Sequence, residues 1–216
     1  MDRLKIDFVS DISCPWCAIG LHALETALER LKGTVEADLH FQPFELNPLM
    51  AAGGQDIDEH LKEKYGASQE QSARNRAAIA QRGLDVGFTF AMDKRSRIYN
   101  TFDAHRLLHW AGLKGRQREL KHALFSAHFT EGRDPGDHAL LADLAAQAGL
   151  DREAALAVLA SSDYAYDVRH AEQYYQQQGI SGVPAVIIND KHLITGGQPP
   201  EVFEEALRQV AEMERA

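Results

Sequence analysis

The sequence predicts an α/β protein built as strand–helix–strand, a long helical stretch, then hairpin and helix. Three observations carry this: period-two and helical patterns alternate over residues 1–48, strand signal almost vanishes over 49–179, and it returns over 180–216. Leu4 to Ser10 reads as a strand that ends at the polar link Asp11-Ile12-Ser13. From Cys14 the period becomes helical, with Leu21, Leu24, Leu28 and Leu31 on one face and Gly33 as the stop. Val35, Ala37, Leu39 and Phe41 then alternate with polar residues in a second strand, ending before Pro43 or Asn47-Pro48. Strand, helix and strand in this order predict a right-handed unit with parallel strands, and the loop after the first strand lies where open α/β sheets place ligands.

From Leu49 to about Gly179 the chain divides into helices at local punctuation. Ala51-Ala52-Gly53-Gly54 is a loop, and Ser68 with Gln71 forms a capping box for a helix running toward Gly83. Thr101 is placed to cap the segment of Phe102, Leu107, Leu108 and Trp110. Arg116 to Phe129 is a further helix, closed by Asp134-Pro135-Gly136. Asp137 and Asp151 are set to cap two more, and Asp163 to start one ending at Gly179. Pro184 to Ile188 is an apolar strand run, Asn189-Asp190 a turn, Lys191 to Thr195 the return strand, and Pro199-Pro200 the entry to a last helix with Phe203, Leu207 and Val210 inward. Residues 1–48 and 180–216 are therefore read as two parts of one unit, and 49–179 as a helical insertion or lid.

Composition narrows the function classes. Lysine and arginine total 23 against 32 acidic residues, a formal charge of -9, which argues against sequence-independent binding to nucleic acid. No apolar run approaches the about 20 residues of a membrane span. The first strand follows Met1-Asp2-Arg3 at once, leaving no room for a secretory signal, so the expected location is cytoplasmic.

The chain has two cysteines, in Cys14-Pro15-Trp16-Cys17 at a helix start. Thiols at this spacing can close a small disulfide within one turn, and free backbone N–H groups with the helix dipole favour a thiolate at Cys14. In a reducing compartment such a pair is catalytic or transient rather than a staple. A zinc half-site completed by distant histidines, or two inert packed thiols, are the other readings of the pair alone; no second cysteine pair is present, and His22 cannot complete a four-ligand site by itself.

Four motifs in order, Cys14-Pro15-Trp16-Cys17-Ala18-Ile19-Gly20, Phe44-Glu45-Leu46-Asn47-Pro48, Asn100-Thr101-Phe102-Asp103-Ala104-His105-Arg106-Leu107 and Gly182-Val183-Pro184-Ala185, resemble the DsbA-like group of thioredoxin-fold proteins, in its FrnE-type branch. The resemblance spans nearly the whole chain and implies a thioredoxin fold with a large helical insertion. It implies Cys14 as attacking nucleophile, Cys17 as resolving thiol and Pro184 as a cis-proline facing them. Pro15, Trp16, Val183, Asn47 and Asn100 are the expected substrate-binding residues, with Asn100 on the lid side of the cleft. A helix cap for Asn100 and a satisfied helix histidine for His105 are the plainer readings. Some relatives carry a second cysteine pair near the C-terminus; this chain does not.

The implied activity is thiol–disulfide exchange or disulfide isomerisation on protein or small-molecule disulfides and thiols, with glutathione a candidate substrate. No cofactor or metal is expected beyond the redox-active Cys14–Cys17 pair. Trp16 brings no charge between the cysteines and Asp11 is expected to oppose a thiolate, so the pair is expected to be a weaker oxidant than one with histidine there. The alternative is a glutathione-dependent isomerase or transferase of the hydroxychromene-carboxylate isomerase or kappa type. Those relatives present a serine in place of Cys14 and need no resolving thiol. A binding or holdase protein with incidental cysteines is the third class.

Overall fold

The computed structural model describes residues 3–214. Strand β1 (Leu4–Ser10) leads through a tight turn into helix α1 (Pro15–Arg30) and strand β2 (Ala37–Pro43). β1 and β2 pair in parallel from Leu4 opposite Ala37 to Ser10 opposite Pro43. Pro43 closes β2, as an edge strand allows. Near the other end of the chain, β5 (Ala185–Ile188) and β6 (His192–Thr195) form a hairpin whose Asn189 and Asp190 take φ of 51° and 57°, the left-handed pair its two-residue turn requires. β5 runs antiparallel to β1, giving the sheet order β2-β1-β5-β6. The last helix, α9 (Pro200–Met213), packs against α1.

Successive residues of β1 point to opposite faces of the sheet. Ile6 and Phe8 enter one core with Leu21, Leu24, Phe203 and Leu207, whereas Val9 joins Phe44, Tyr175, Ile180 and Ala185 on the other face. α1 and α9 therefore cover one side and α8 (Ala165–Gln177) the other.

Between β2 and α8 the chain forms β3 (Gln55–Asp56), α2 (Ile57–Tyr65), α3 (Gln69–Asp85), β4 (Arg97–Ile98), α4 (Phe102–Leu113), α5 (Gln117–Phe125), α6 (His138–Gln147) and α7 (Arg152–Ala160). α5 continues through one π-helical turn, Ser126–Thr130. Asp137 and Asp151 cap α6 and α7 as expected, and the Ser68–Gln71 capping box is formed in full. α3 runs past Gly83, which stays small for packing: a Cβ there would meet the Phe90 ring at 2.4 Å.

Three expectations are corrected. α2 and the two-residue ladder of β3 with β4 were absent from the sequence reading. Thr101 stands at the start of α4, but its hydroxyl does not cap the helix; it donates to Asp11 across the fold. α8 begins at Ala165, two residues after Asp163, whose carbonyl instead accepts a hydrogen bond from Arg106.

Candidate active site

The turn after β1 sets the site. Cys14 is the residue before α1, Pro15 occupies the first helical position where no N–H is needed, and the Cys17 N–H bonds the Cys14 carbonyl. Cys14 is 4% exposed and Cys17 fully buried, and both are free thiols. Facing them is the Val183–Pro184 bond, which is cis. The Cys14 thiol donates to the Val183 carbonyl at 3.6 Å, within the range for sulfur. Gly20 allows this approach, since a Cβ there would lie 3.1 Å from Pro184 Cγ.

Asp11 holds the turn together and ties three of the four motifs to it. Its carboxylate accepts from the Ser13 N–H and hydroxyl, from the Leu46 N–H at 2.7 Å, and from the Thr101 hydroxyl at 2.8 Å. His105 Nε2 stands 3.5 Å away. Burial by itself would raise this carboxyl; His105, Leu46 and Thr101 outweigh it and hold Asp11 well below the usual carboxylate range. The charge expected to oppose a thiolate is thus committed to the architecture.

Cys17 lies on the sealed side. Burial, then its hydrogen bond with Cys14, pushes its thiol well up. Lys121 of α5 is also fully buried, its Nζ has no hydrogen-bond partner, and it rests 4.8 Å from the Phe125 ring centre. Burial pulls Lys121 down to about 8, against the opposing influence of Cys17, Asp11 and Cys14.

On the other side Cys14 opens into a cleft of about 550 Å³, roofed by α2 and α3. Pro15, Trp16, Asn47 and Val183 line it. Its apolar wall includes Ile57, Leu61, Ile79 and Met92, and Arg76 and Arg95 line it too; among the described residues no acidic side chain does. Asn47 Oδ1 is taken by the Lys64 ammonium at 2.7 Å, leaving the amide NH₂ as the group it can offer. Asn100 does not line the cleft: its Oδ1 accepts from the Phe102 N–H at the start of α4 and its amide N donates to the Met50 carbonyl. It is a helix-entry brace. His105, read as an ordinary helix histidine, belongs to the Asp11 cluster. Tyr174 and Tyr175 pack edge-to-face away from the cleft lining, and Trp110 is buried core.

A family model described as a DSBA-like thioredoxin domain matches residues 5–208. The chain belongs to that family. The DSBA-like architecture aligns with a probable DsbA oxidoreductase of Streptomyces coelicolor at a TM-score of 0.91 and 35% identity, covering 99% of this chain and 92% of that one. The uncharacterized protein YwbO of Bacillus subtilis (strain 168) is 27% identical over 205 residues, 94% of this chain and 96% of YwbO. The cytosolic disulfide reductase DsbM of Pseudomonas aeruginosa, solved with GSH, shares the fold at a TM-score of 0.65 and 16% identity, over 96% of this chain and 99% of DsbM. The thioredoxin fold with added helices is thus the fold of this DSBA-like chain. The sequence reading missed Arg95, Lys121 and His128 of the site, all long or polar side chains that count as surface until a fold buries them.

Proposed function

We propose that this DSBA-like protein is a thiol–disulfide oxidoreductase that reduces or isomerises disulfides through Cys14 and Cys17. The observation that carries the reading is the asymmetry of the pair: Cys14 faces the cleft beside Val183–Pro184, and Cys17 sits one turn deeper with no access of its own. Cys14, as thiolate, attacks one sulfur of a substrate disulfide; a Cys14–substrate bond forms, the substrate S–S bond breaks, and the leaving sulfur departs as thiolate and takes a proton. Cys17 then loses its proton and attacks the Cys14 sulfur. The internal disulfide forms, the second substrate sulfur leaves, and two electrons have passed from protein to substrate. Two equivalents of an external thiol return the protein to the dithiol.

A roofed cleft with apolar walls and arginines suits a small disulfide or the tip of a peptide loop better than a broad protein surface. The GSH in the DsbM structure supports glutathione as one such thiol. No helix among the described residues is long and apolar enough to cross a membrane. We infer a cytoplasmic location, with which the cytosolic DsbM neighbour is compatible. The same roofed cleft favours glutathione-dependent isomerisation or transfer as the second reading, and Cys17 separates the two. Reduction of insulin and of glutathione disulfide by wild type, Cys14→Ser and Cys17→Ser decides. Loss of turnover in both variants is expected; a glutathione-dependent activity that ignores Cys17→Ser would favour the second reading, and full activity in Cys14→Ser would overturn the redox reading.

A further inference from the structure

Arg95, in the loop between α3 and β4, is a buried cation with no carboxylate in contact among the described residues. It is 9% exposed and lines the cleft with Cys14. Its Nη2 donates to the carbonyl of Ser13, the residue before Cys14, at 3.2 Å, and its Nε donates to His128 Nε2 at 3.0 Å. Its guanidinium carbon stands 5.0 Å from the Phe129 ring centre. All of these partners are neutral. Burial, then the charge of Arg95, pulls His128 down to about 3, so its Nε2 is a lone-pair acceptor and its Nδ1–H donates to the Arg133 carbonyl. Among the described residues no carboxylate lies within 4.0 Å of the Arg95 guanidinium, although the chain carries 32 acidic residues. Burial pulls Arg95 down only to about 10, against the opposing influence of Cys14, Asp11 and Tyr99, so it stays charged at neutral pH.

A desolvated guanidinium is costly unless an anion compensates it. Asp11 is already engaged by its own donors, and among the described residues no acid lines the cleft. We propose that Arg95, held by His128 and the Ser13 carbonyl on the cleft wall it shares with Cys14, is the counter-ion of the Cys14 thiolate. The inference rests on Cys14 being the nucleophile. It supplies from a distant loop the positive charge that Trp16 does not place between the cysteines. Arg95 would favour the reduced protein over the disulfide, because its charge lowers the energy of the thiolate alone.

The test uses Arg95→Gln and Arg95→Lys in the full chain. Two quantities are read: the rate of Cys14 alkylation by iodoacetamide at neutral pH, and the dithiol–disulfide equilibrium against glutathione. Arg95→Gln is expected to slow alkylation about tenfold and to shift the equilibrium about tenfold toward the disulfide, the order produced by removing one nearby opposite charge. Arg95→Lys, which keeps the charge, is expected to restore most of both. A purely structural role would give the same loss in both variants, and that result overturns the proposal, as does a folded Arg95→Gln with neither quantity changed. Wild type provides a measurement free of any folding defect. Its iodoacetate-to-iodoacetamide rate ratio is expected to exceed that of mercaptoethanol, and a ratio at or below mercaptoethanol overturns the proposal. Failure of Cys14 to react at all, or exchange that survives Cys14→Ser, would instead remove the reading on which the proposal stands.

Discussion

The two sides of the Cys14–Cys17 pair are built differently. Toward the cleft, Cys14 meets a backbone carbonyl, a proline, an apolar wall and an arginine, under a roof made by α2 and α3. Toward the interior, Cys17 meets the Asp11 backbone and Lys121, both buried, with His105 beside Asp11, and the Lys121 ammonium and His105 Nε2 lack hydrogen-bond partners among the described residues. In the proposed exchange the cleft side meets the substrate, while the interior side holds the turn. The difference teaches that one helical turn is enough to separate an approachable sulfur from one that can be reached only by its partner.

Breaking the interior side has the larger effect. Asp11→Ala leaves the Leu46 N–H and the Thr101 hydroxyl without an acceptor and is expected to destabilise the protein by about 3–5 kcal/mol in urea unfolding, the range for removing one member of a buried charged network. The folded Asp11 carboxyl lies below its unfolded value of 3.8, so its contribution is present above that pH and is lost as pH falls through and below it. The wild-type advantage over Asp11→Ala is therefore full at neutral pH and shrinks in acid; a difference that persists unchanged in acid would contradict the network.

Lys121→Met probes the same side through pH. Burial lowers Lys121 from 10.5 to about 8, so between those values the unfolded chain binds a proton that the folded protein does not, and stability rises with pH across that window. In the oxidised protein the opposing influence of the two thiols is gone and burial still lowers Lys121, so wild type is expected to gain stability over Lys121→Met as pH rises from neutral toward 10.5. Equal pH dependence of the two would contradict a buried, unpaired ammonium. In the reduced protein the same variant is expected to slow resolution of the mixed disulfide and leave the first attack on Cys14 nearly unchanged. That contrast sharpens the division between the two sides.

The framework of the site was legible because its signals are local. β1, the helix start at Cys14, the Asn189-Asp190 turn and Pro199-Pro200 are each specified by a few neighbouring residues, and Cys14, Cys17 and Val183–Pro184 follow from motifs. α2 was not legible because His60 is its one buried residue; it is held by Asp56 at its start and by the left-handed Gly66 at its end rather than by an apolar stripe. The roles of Thr101, Asn100 and Asp11 could not be separated from capping or surface roles, since each depends on a partner that folding alone brings near. Thr101 and Asp11 stand 90 positions apart. Arg95 and Lys121 are the extreme case. Their residue types predict solvent, and the packing of α5, the π-helical turn and the cleft walls overrides that prediction.

The division of the site turns on which sulfur attacks. Cys14→Ser and Cys17→Ser, each reduced and mixed with glutathione disulfide, can be followed by intact mass. Cys17→Ser is expected to gain one glutathione on Cys14 rapidly and to hold it, because the resolving thiol is gone, while Cys14→Ser stays unmodified over the same interval. Modification of Cys17 in Cys14→Ser at a rate equal to that of Cys14 in Cys17→Ser would contradict the division of the site into an attacking and a sealed thiol.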